Sequence, residues 1–117
     1  MAKRLFAMEG AEFVQKMLSG ERDFSNIDLE EGFDLCGYSG FDELQEYLKK
    51  DDLQSNPINI EGAKLRYLDA DGLHLPYVRA NGVNLKHAAL MGAHLENGEF
   101  EGADLRYTRL ARAILRN

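Results

Sequence analysis

Cationic side chains recur at twenty-residue spacing in the second half of the chain. Each cation is followed by an aromatic or imidazole ring, in the pairs Arg66 and Tyr67, Lys86 and His87, and Arg106 and Tyr107. Together with Lys64, these residues form a candidate partner face that could bind a phosphate backbone or an acidic partner. Like charges about 5 Å apart repel each other, so the cations could also form a solvated face that Asp104 and nearby acids neutralise.

Two histidines, His74 and His94, also lie twenty residues apart, and Ile114 occupies the next position of that series. Two imidazoles could share a metal ion, but a metal site usually needs a third or fourth ligand. Glu96 is the only carboxylate candidate near them. We therefore expect a stacked, half-exposed histidine pair, with no metal site and no bound cofactor.

Cys36 is the single cysteine, and no histidine has an assured place beside it. The serine and aspartate residues show no nucleophile motif, so we expect no catalytic residues and no enzyme activity. Asp69 and Asp71 are expected to serve turns or to face solvent. One thiol excludes an intramolecular disulfide framework and suits a reducing, cytoplasmic location.

The composition is that of one soluble domain. The chain has 117 residues, of which 44% are hydrophobic and 29% are charged. No apolar run approaches the roughly 20 residues that span a bilayer. The apolar stretch at residues 5–8 is too short for a secretory signal. Membrane proteins and disordered proteins are thereby excluded.

The elements that must position these side chains follow from a period of five residues. Twelve positions in steps of five are all apolar: Ile60, Leu65, Ala70, Leu75, Ala80, Leu85, Leu90, Leu95, Phe100, Leu105, Leu110 and Leu115. Helices and strands repeat every 3.6 and 2 residues, so neither explains this period. A square coil does, because each five-residue side turns one corner and four sides make a coil of about 20 residues, stacked at ~4.8 Å.

Glycines mark half of the expected corners: Gly62, Gly72, Gly82, Gly92 and Gly102. A type II turn needs positive φ at its third residue, which glycine adopts without a Cβ clash. The other corners carry Tyr67, Tyr77, His87, Asn97 and Tyr107, and we expect a different turn geometry there. Inside the coil, the large Phe100 lies two residues after Gly98, as close packing would require.

The segment Ala103 to Tyr107 reads Ala-Asp-Leu-Arg-Tyr, and Val83-Asn84-Leu85 is a looser copy of its first three residues. These residues resemble the pentapeptide repeat family, whose consensus is Ala-(Asp/Asn)-Leu-x-x. The resemblance implies a right-handed quadrilateral β-helix, an all-β solenoid. We expect about four coils, of which three are regular and span residues 58–117.

The first half departs from this period. Residues 1–21 are predicted to hold a capping helix from Glu9 to Leu18, ended by Gly20. Residues 22–40 form an irregular first coil, in which the step of six from Leu29 to Leu35 requires a bulge. Residues 41–57 form an inserted helix with re-entry at Asn56-Pro57, and Ser39 with Asp42 could form its capping box. All four segments are expected to form one domain, with Phe24 and Ile60 separated by one coil plus an insertion.

Charge divides unevenly between the halves. Residues 1–57 hold 13 acidic and 6 basic groups, whereas residues 58–117 hold 7 acidic and 8 basic groups. We expect a non-enzymatic scaffold or protein-protein interaction module with an unidentified protein partner. One alternative, from the family resemblance, is a DNA-mimicking modulator of a type II topoisomerase. The other is an anion- or nucleic-acid-binding protein that uses the basic residues of the partner face.

The last coil presents apolar side chains at its open end: Phe100, Leu105, Leu110 and Leu115. Exposed apolar patches and open strand edges are usually covered. The family resemblance implies that two copies meet end to end about a twofold axis. These four residues are therefore the candidate contact of a homodimer.

Overall fold

A computed structural model describes residues 4–116. Along the chain it contains strand β1 (Phe6–Met8), helix α1 (Gly10–Leu18), strand β2 (Ile27–Leu29) and helix α2 (Phe41–Lys50). Neither helix is long and apolar enough to cross a bilayer. From residue 58 onward, regular turns alternate with single-residue bridges in place of continuous strands. The division of the sequence into four segments stays a prediction.

Parallel bridges join residues twenty apart throughout the second half. The bridged pairs are Asn59 and Arg79, Lys64 and Asn84, Asp69 and Ala89, His74 and His94, Arg79 and Glu99, Asn84 and Asp104, Ala89 and Arg109, and His94 and Ile114. Each layer is bonded to the layers before and after it. The Asn84 N–H, for example, donates to the Ala63 carbonyl at 2.9 Å, and the Leu85 N–H donates to the Asp104 carbonyl at 2.9 Å. Residues twenty apart therefore lie one above the other.

From Ile60 to Leu95, the apolar residues of the period-five series are buried inside these layers. Leu85 and Leu95 are each only 3% exposed, in a single hydrophobic cluster that runs from Phe13 to Leu95. A cavity along this axis holds about 30 Å³ and is lined by apolar side chains. That volume accommodates a water molecule at most, so the interior offers no ligand site.

The non-glycine corners do not have the different geometry that the sequence predicted. Tyr67 has a φ of 61°, close to the 68° of Gly62. Both corners also close with the same hydrogen bond, from the N–H of the fourth turn residue to the carbonyl of the first, at Ile60 and at Leu65. The prediction of a second turn type is therefore wrong, because stacking in register requires the same chain reversal at every corner.

Gly98 and Phe100 share one space in the interior. A Cβ built on Gly98 would lie 2.7 Å from the Phe100 ring, 3.0 Å from the Leu95 carbonyl and 3.1 Å from Val78. Gly98 does not have positive φ, so the restriction is steric. The volume compensation that the sequence predicted here is confirmed.

We expect Gly98→Ala to lower the free energy of unfolding by about 1–3 kcal/mol, since overpacking forces neighbours off their rotamers. Adding Phe100→Leu should restore part of that loss, because the smaller side chain clears the closest contact. Urea denaturation of the wild type, both single variants and the double variant gives the coupling energy. Strictly additive effects would contradict the shared-space interpretation.

The N-terminal region adds one strand that the sequence did not predict. β1 pairs in parallel with β2, with Phe6 opposite Ile27 and Met8 opposite Leu29. The predicted capping helix is present as α1, and Gly20, at φ 101°, follows its end. Phe13 of α1 packs edge-on against Phe24, with ring centroids 4.9 Å apart.

A helix is also present within the predicted insertion, as α2. Asp23 bridges Asn59, 36 residues later, whereas Asp34 bridges Asp69, 35 residues later. The separation of the bridged residues falls from 36 to 35 because the earlier layer contains one extra residue. This extra residue is the predicted bulge between Leu29 and Leu35.

The predicted capping box at the start of α2 is wrong. Gly40 is the N-cap and makes no side-chain capping bond. The Phe41 N–H donates instead to the Tyr38 carbonyl at 2.9 Å, so a backbone turn closes the start of the helix. Farther along α2, the Gln45 amide donates to the Gly72 carbonyl at 2.8 Å and accepts from the His74 N–H at 2.8 Å. Gln45 thus fixes α2 to the layers.

Candidate functional site

Tyr67, His87 and Tyr107 form a continuous stack, the aromatic column, on the outside of the layers. The Tyr67 and His87 rings are 4.7 Å apart with an interplanar angle of 7°, and His87 and Tyr107 are 4.8 Å apart at 10°. Tyr107 is 72% exposed and Tyr67 is 45% exposed. The ring spacing equals the separation of hydrogen-bonded layers, so the backbone register itself places the rings in contact.

The aromatic column stands on strained backbone. All three residues have φ between 61° and 64°, the left-handed region that costs an L-residue roughly 1–2 kcal/mol. Stacked aromatic pairs contribute about 0.5–1.5 kcal/mol beyond the area they bury. Stacking therefore offsets a large part of the backbone cost, which explains how rings can replace glycine at these corners.

This balance predicts an unusual order of stability for two substitutions at residue 87. His87→Ala loses the stacking and keeps the left-handed strain, whereas His87→Gly loses the stacking and relieves the strain. We expect the glycine variant to unfold with a free energy about 1 kcal/mol above that of the alanine variant. Thermal and urea denaturation compare the two, and an alanine variant at least as stable as the glycine variant would contradict the analysis.

Two of the three cations beside the aromatic column are paired with carboxylates. The Arg106 guanidinium donates to Asp104 at 2.9 and 2.8 Å, and one Arg66 nitrogen lies 3.8 Å from Glu31. Hydrogen bonds from the guanidinium and then from the backbone N–H of Arg106 lower the pKa of Asp104 to about 2. The Arg106 charge is therefore matched by a carboxylate ionised at any physiological pH.

Lys86 has no carboxylate within 4 Å in the part of the chain that the structure describes. Lys64 stands apart from it, beside Arg66, in an open groove of about 590 Å³ that is otherwise mostly acidic. That groove is lined by Glu9, Glu12, Asp28, Glu30 and Glu31 as well as by the backbone of β1. Lys64 and Arg66 therefore lie in an acidic groove, apart from Lys86, and the positive charge of the candidate partner face is unevenly distributed.

A second groove, the ladder groove, runs along the other side of the aromatic column and has a volume of about 430 Å³. One wall is the aromatic column, the floor includes Leu68, and the other wall is formed by Asp69, Ala89 and Arg109. Because these last three are bridged in sequence, their side chains lie one layer apart. This series was not predicted, although the residues twenty and forty positions after Asp69 are Ala89 and Arg109.

His74 and His94 lie as the spacing predicted, with ring centroids 5.6 Å apart and planes tilted by 43°. Glu96 approaches the Nδ1 of His94 at 4.0 Å. Burial lowers the pKa of His74 from its ordinary value of 6.5, and nearby His94 and Lys49 lower it further, whereas Glu96 acts in the opposite direction. His74 is therefore held in its neutral form near pH 7.

This shift makes stability depend on pH. Below pH 6.5, His74 takes up a proton more readily in the unfolded chain than in the folded chain, because its pKa is lower in the folded state. The stabilisation from neutral His74 is therefore fully present above pH 6.5 and is lost as the pH falls through the folded pKa. We expect His74→Asn to reduce the fall in the urea midpoint between pH 7 and pH 5.5. An unchanged slope in the variant would exclude His74 as the source.

Cys36 lies near two carboxylates, with its Sγ 3.2 Å from Asp69 and 3.6 Å from Asp34. Burial, and then the hydrogen bond and charge of Asp69, raise the pKa of the thiol to about 12. The nucleophilic and metal-binding form of cysteine is the thiolate. At neutral pH Cys36 is therefore a hydrogen-bond donor that orients Asp69.

The apolar end of the last layer is only partly covered. Phe100, Leu105 and Leu110 are half-buried against the core, and Leu115 is 43% exposed.

Parallel layers at twenty-residue spacing, with polar and aromatic columns outside, define a β-stacked repeat protein. The family model for pentapeptide repeats matches residues 84–117, in eight copies. That match confirms, for residues 84–117, the resemblance seen in the sequence. Such repeats imply a right-handed β-helix-like fold, and proteins of this family are generally non-enzymatic scaffolds.

A search of solved structures found similarity to a pentapeptide repeat protein, Rfr23, from the cyanobacterium Cyanothece 51142. The two sequences are 21% identical, and the alignment covers 49% of this chain and 59% of that protein, with a TM-score of 0.18. A TM-score of that size does not establish a common shape, so this similarity carries no further argument. A comparison with curated proteins gave no match.

Proposed function

We propose that this protein is a non-enzymatic scaffold, a right-handed stack of about four square coils, that binds a partner protein through the partner face. The observation that carries the proposal is the aromatic column, whose three rings stack at 4.7 and 4.8 Å and whose terminal ring, Tyr107, is 72% exposed. Tyrosine is enriched at the energetically dominant positions of protein interfaces.

Preorganisation supports this use of the rings. Immobilising a flexible side chain at an interface costs about 0.5–1.5 kcal/mol. Stacking already orders Tyr67, His87 and Tyr107 within their column, and the interlayer hydrogen bonds fix the backbone beneath them. A partner that contacts the ring edges therefore orders little further on binding.

The two alternatives have less support. Arg66 and Arg106 are already paired with Glu31 and Asp104, which leaves Lys64 and Lys86 as the partner-face cations without a carboxylate within 4 Å among residues 4–116. A DNA mimic needs an extended acidic surface, whereas residues 58–117 contain 8 basic and 7 acidic groups. Both alternatives remain distinguishable by the experiments below.

The test is affinity capture from native lysate, comparing the wild type with a Tyr107→Ala, His87→Ala double variant. The matched control is Tyr77→Ala, Asn97→Ala, because residues 77 and 97 occupy a different corner with the same positive φ. We expect the partner recovered by the first variant to fall by about tenfold or more, as for an interface hot spot, and recovery by the control to be unchanged.

Equal losses in both double variants would contradict the proposal, since the effect would then come from loss of stability. Salt-sensitive retention of nucleic acid, abolished by Lys86→Ala, would favour the anion alternative. Inhibition or protection in a supercoiling assay with purified gyrase would favour the topoisomerase alternative.

We further propose that two copies pair through Phe100, Leu105, Leu110 and Leu115. The support is that these apolar side chains are half-buried or exposed at one end of the core. Leu110→Asp should convert a dimer into a monomer in sedimentation equilibrium, because a charge buried in an apolar interface is strongly unfavourable. Ala111→Asp adds the same charge at the neighbouring exposed position and should leave the mass unchanged. A wild-type monomer at every concentration would exclude this pairing.

A further inference from the structure

We propose that the ladder groove binds an extended, proline-rich segment of a partner protein that carries a cationic and an anionic side chain three residues apart. The inference deepens the proposed function and rests on it, since it names the chemistry of the partner. It concerns Asp69, Ala89 and Arg109, which lie outside the partner face.

The charges along the groove are separated by layer. Asp69 lies at one end, where the bridge to Asp34 brings a second carboxylate one layer away. Arg109 lies at the other end, is exposed, and has no carboxylate within 4 Å among residues 4–116. A bound segment therefore finds an anionic site and a cationic site at fixed separation, and complementary charges on it are favoured.

Ala89 shapes the middle of the groove. Its neighbours in the same column are Asp69 and Arg109, so the smallest side chain lies between two larger, charged ones. The resulting hollow faces the His87 ring across the groove. It has room for the ring of a proline or for a small apolar side chain, but it offers no charge to either.

The spacing of the groove matches polyproline II geometry. Asp69 and Arg109 are two layers apart, about 10 Å at the usual interstrand separation of about 4.8 Å. A polyproline II helix has three residues per turn and rises 3.1 Å per residue, so residues i and i+3 share a face about 9 Å apart. In a β-strand, residues i and i+3 point to opposite faces, so an extended strand cannot present both charges to this groove.

The aromatic wall suits the same ligand. Polyproline II segments have no internal backbone hydrogen bonds and bind to aromatic-lined grooves. Tyr67 and Tyr107 are also two layers apart, and each stacks on His87 through one ring face. Arg66 lies 5.7 Å over the Tyr67 ring, so the edges and hydroxyl groups of both rings, and the outer face of the exposed Tyr107, are left for a ligand. Two hydroxyl donors at that separation match the carbonyl groups of residues i and i+3.

The test is fluorescence anisotropy of the full chain with labelled Pro-Pro-Lys-Pro-Pro-Glu-Pro-Pro and with its reverse, Pro-Pro-Glu-Pro-Pro-Lys-Pro-Pro. The register control, Pro-Pro-Lys-Pro-Glu-Pro-Pro-Pro, has the charges two residues apart. We expect at least one of the first two peptides to bind about tenfold more tightly than the register control, which can satisfy only one of the two charged sites.

Arg109→Glu should weaken binding of the preferred peptide by about tenfold or more and transfer the preference to Pro-Pro-Lys-Pro-Pro-Lys-Pro-Pro. Ala89→Gln should weaken all of the peptides, because it fills the hollow. Arg112→Glu is the matched control, since this exposed arginine lies in the same layer outside the groove. Circular dichroism melts of each variant establish that it is folded.

The inference is overturned if no peptide binds better than the register control, or if Arg109→Glu and Arg112→Glu have equal effects. Its failure differs from failure of the proposed function. Capture that depends on His87 and Tyr107, together with no peptide discrimination, would refute only the polyproline ligand. Peptide discrimination together with capture that is insensitive to those two residues would support Asp69 and Arg109 as the peptide site and refute the partner face as the site of capture.

Discussion

The hydrogen bonds between layers are the constraint on which the rest of this structure depends. Asn84, for example, bridges Lys64 in the layer before and Asp104 in the layer after. Its own N–H and carbonyl bond to the earlier layer, and the carbonyl of Val83 and the N–H of Leu85 bond to the later layer. The bonds fix a register of twenty residues, so the neighbours of a surface side chain in adjacent layers are the residues twenty positions earlier and twenty positions later. A shift of one residue would turn every inward leucine toward solvent, and the hydrophobic effect therefore holds the register.

The same register explains why strained corners are tolerated. Corner residues reverse the chain with positive φ whether or not they are glycine, and the corners from Gly62 to Arg112, apart from Tyr77, close with the same hydrogen bond. At Tyr67, His87 and Tyr107 the stacked layers bring the rings to 4.7 and 4.8 Å, and stacking offsets part of the backbone strain. A feature that maintains the fold thus also produces a rigid, exposed aromatic surface.

The inserted region modifies this regular frame from outside. Gln45 of α2 bonds to the backbone of residues 72 and 74, and Glu31 of the irregular first coil pairs with Arg66. Cys36, held protonated by its surroundings, donates to Asp69 at the end of the ladder groove. Residues of the first half of the chain therefore modify the charge at one end of two surfaces formed by the repeats. Glu31 does so beside Arg66, and Cys36 does so beside Asp69.

The period of five, the inward series, the twenty-residue columns, both helices and the bulge after Leu29 could be predicted from residue types alone. They follow from the spacing of apolar side chains along the chain and from the burial of those side chains. The conformation of the non-glycine corners, the pairing of Arg66 with Glu31, the strand β1 and the ladder groove became visible in the folded chain. Those features depend on contacts between segments with no common period and on side-chain conformations, and the spacing of residues along a chain specifies neither.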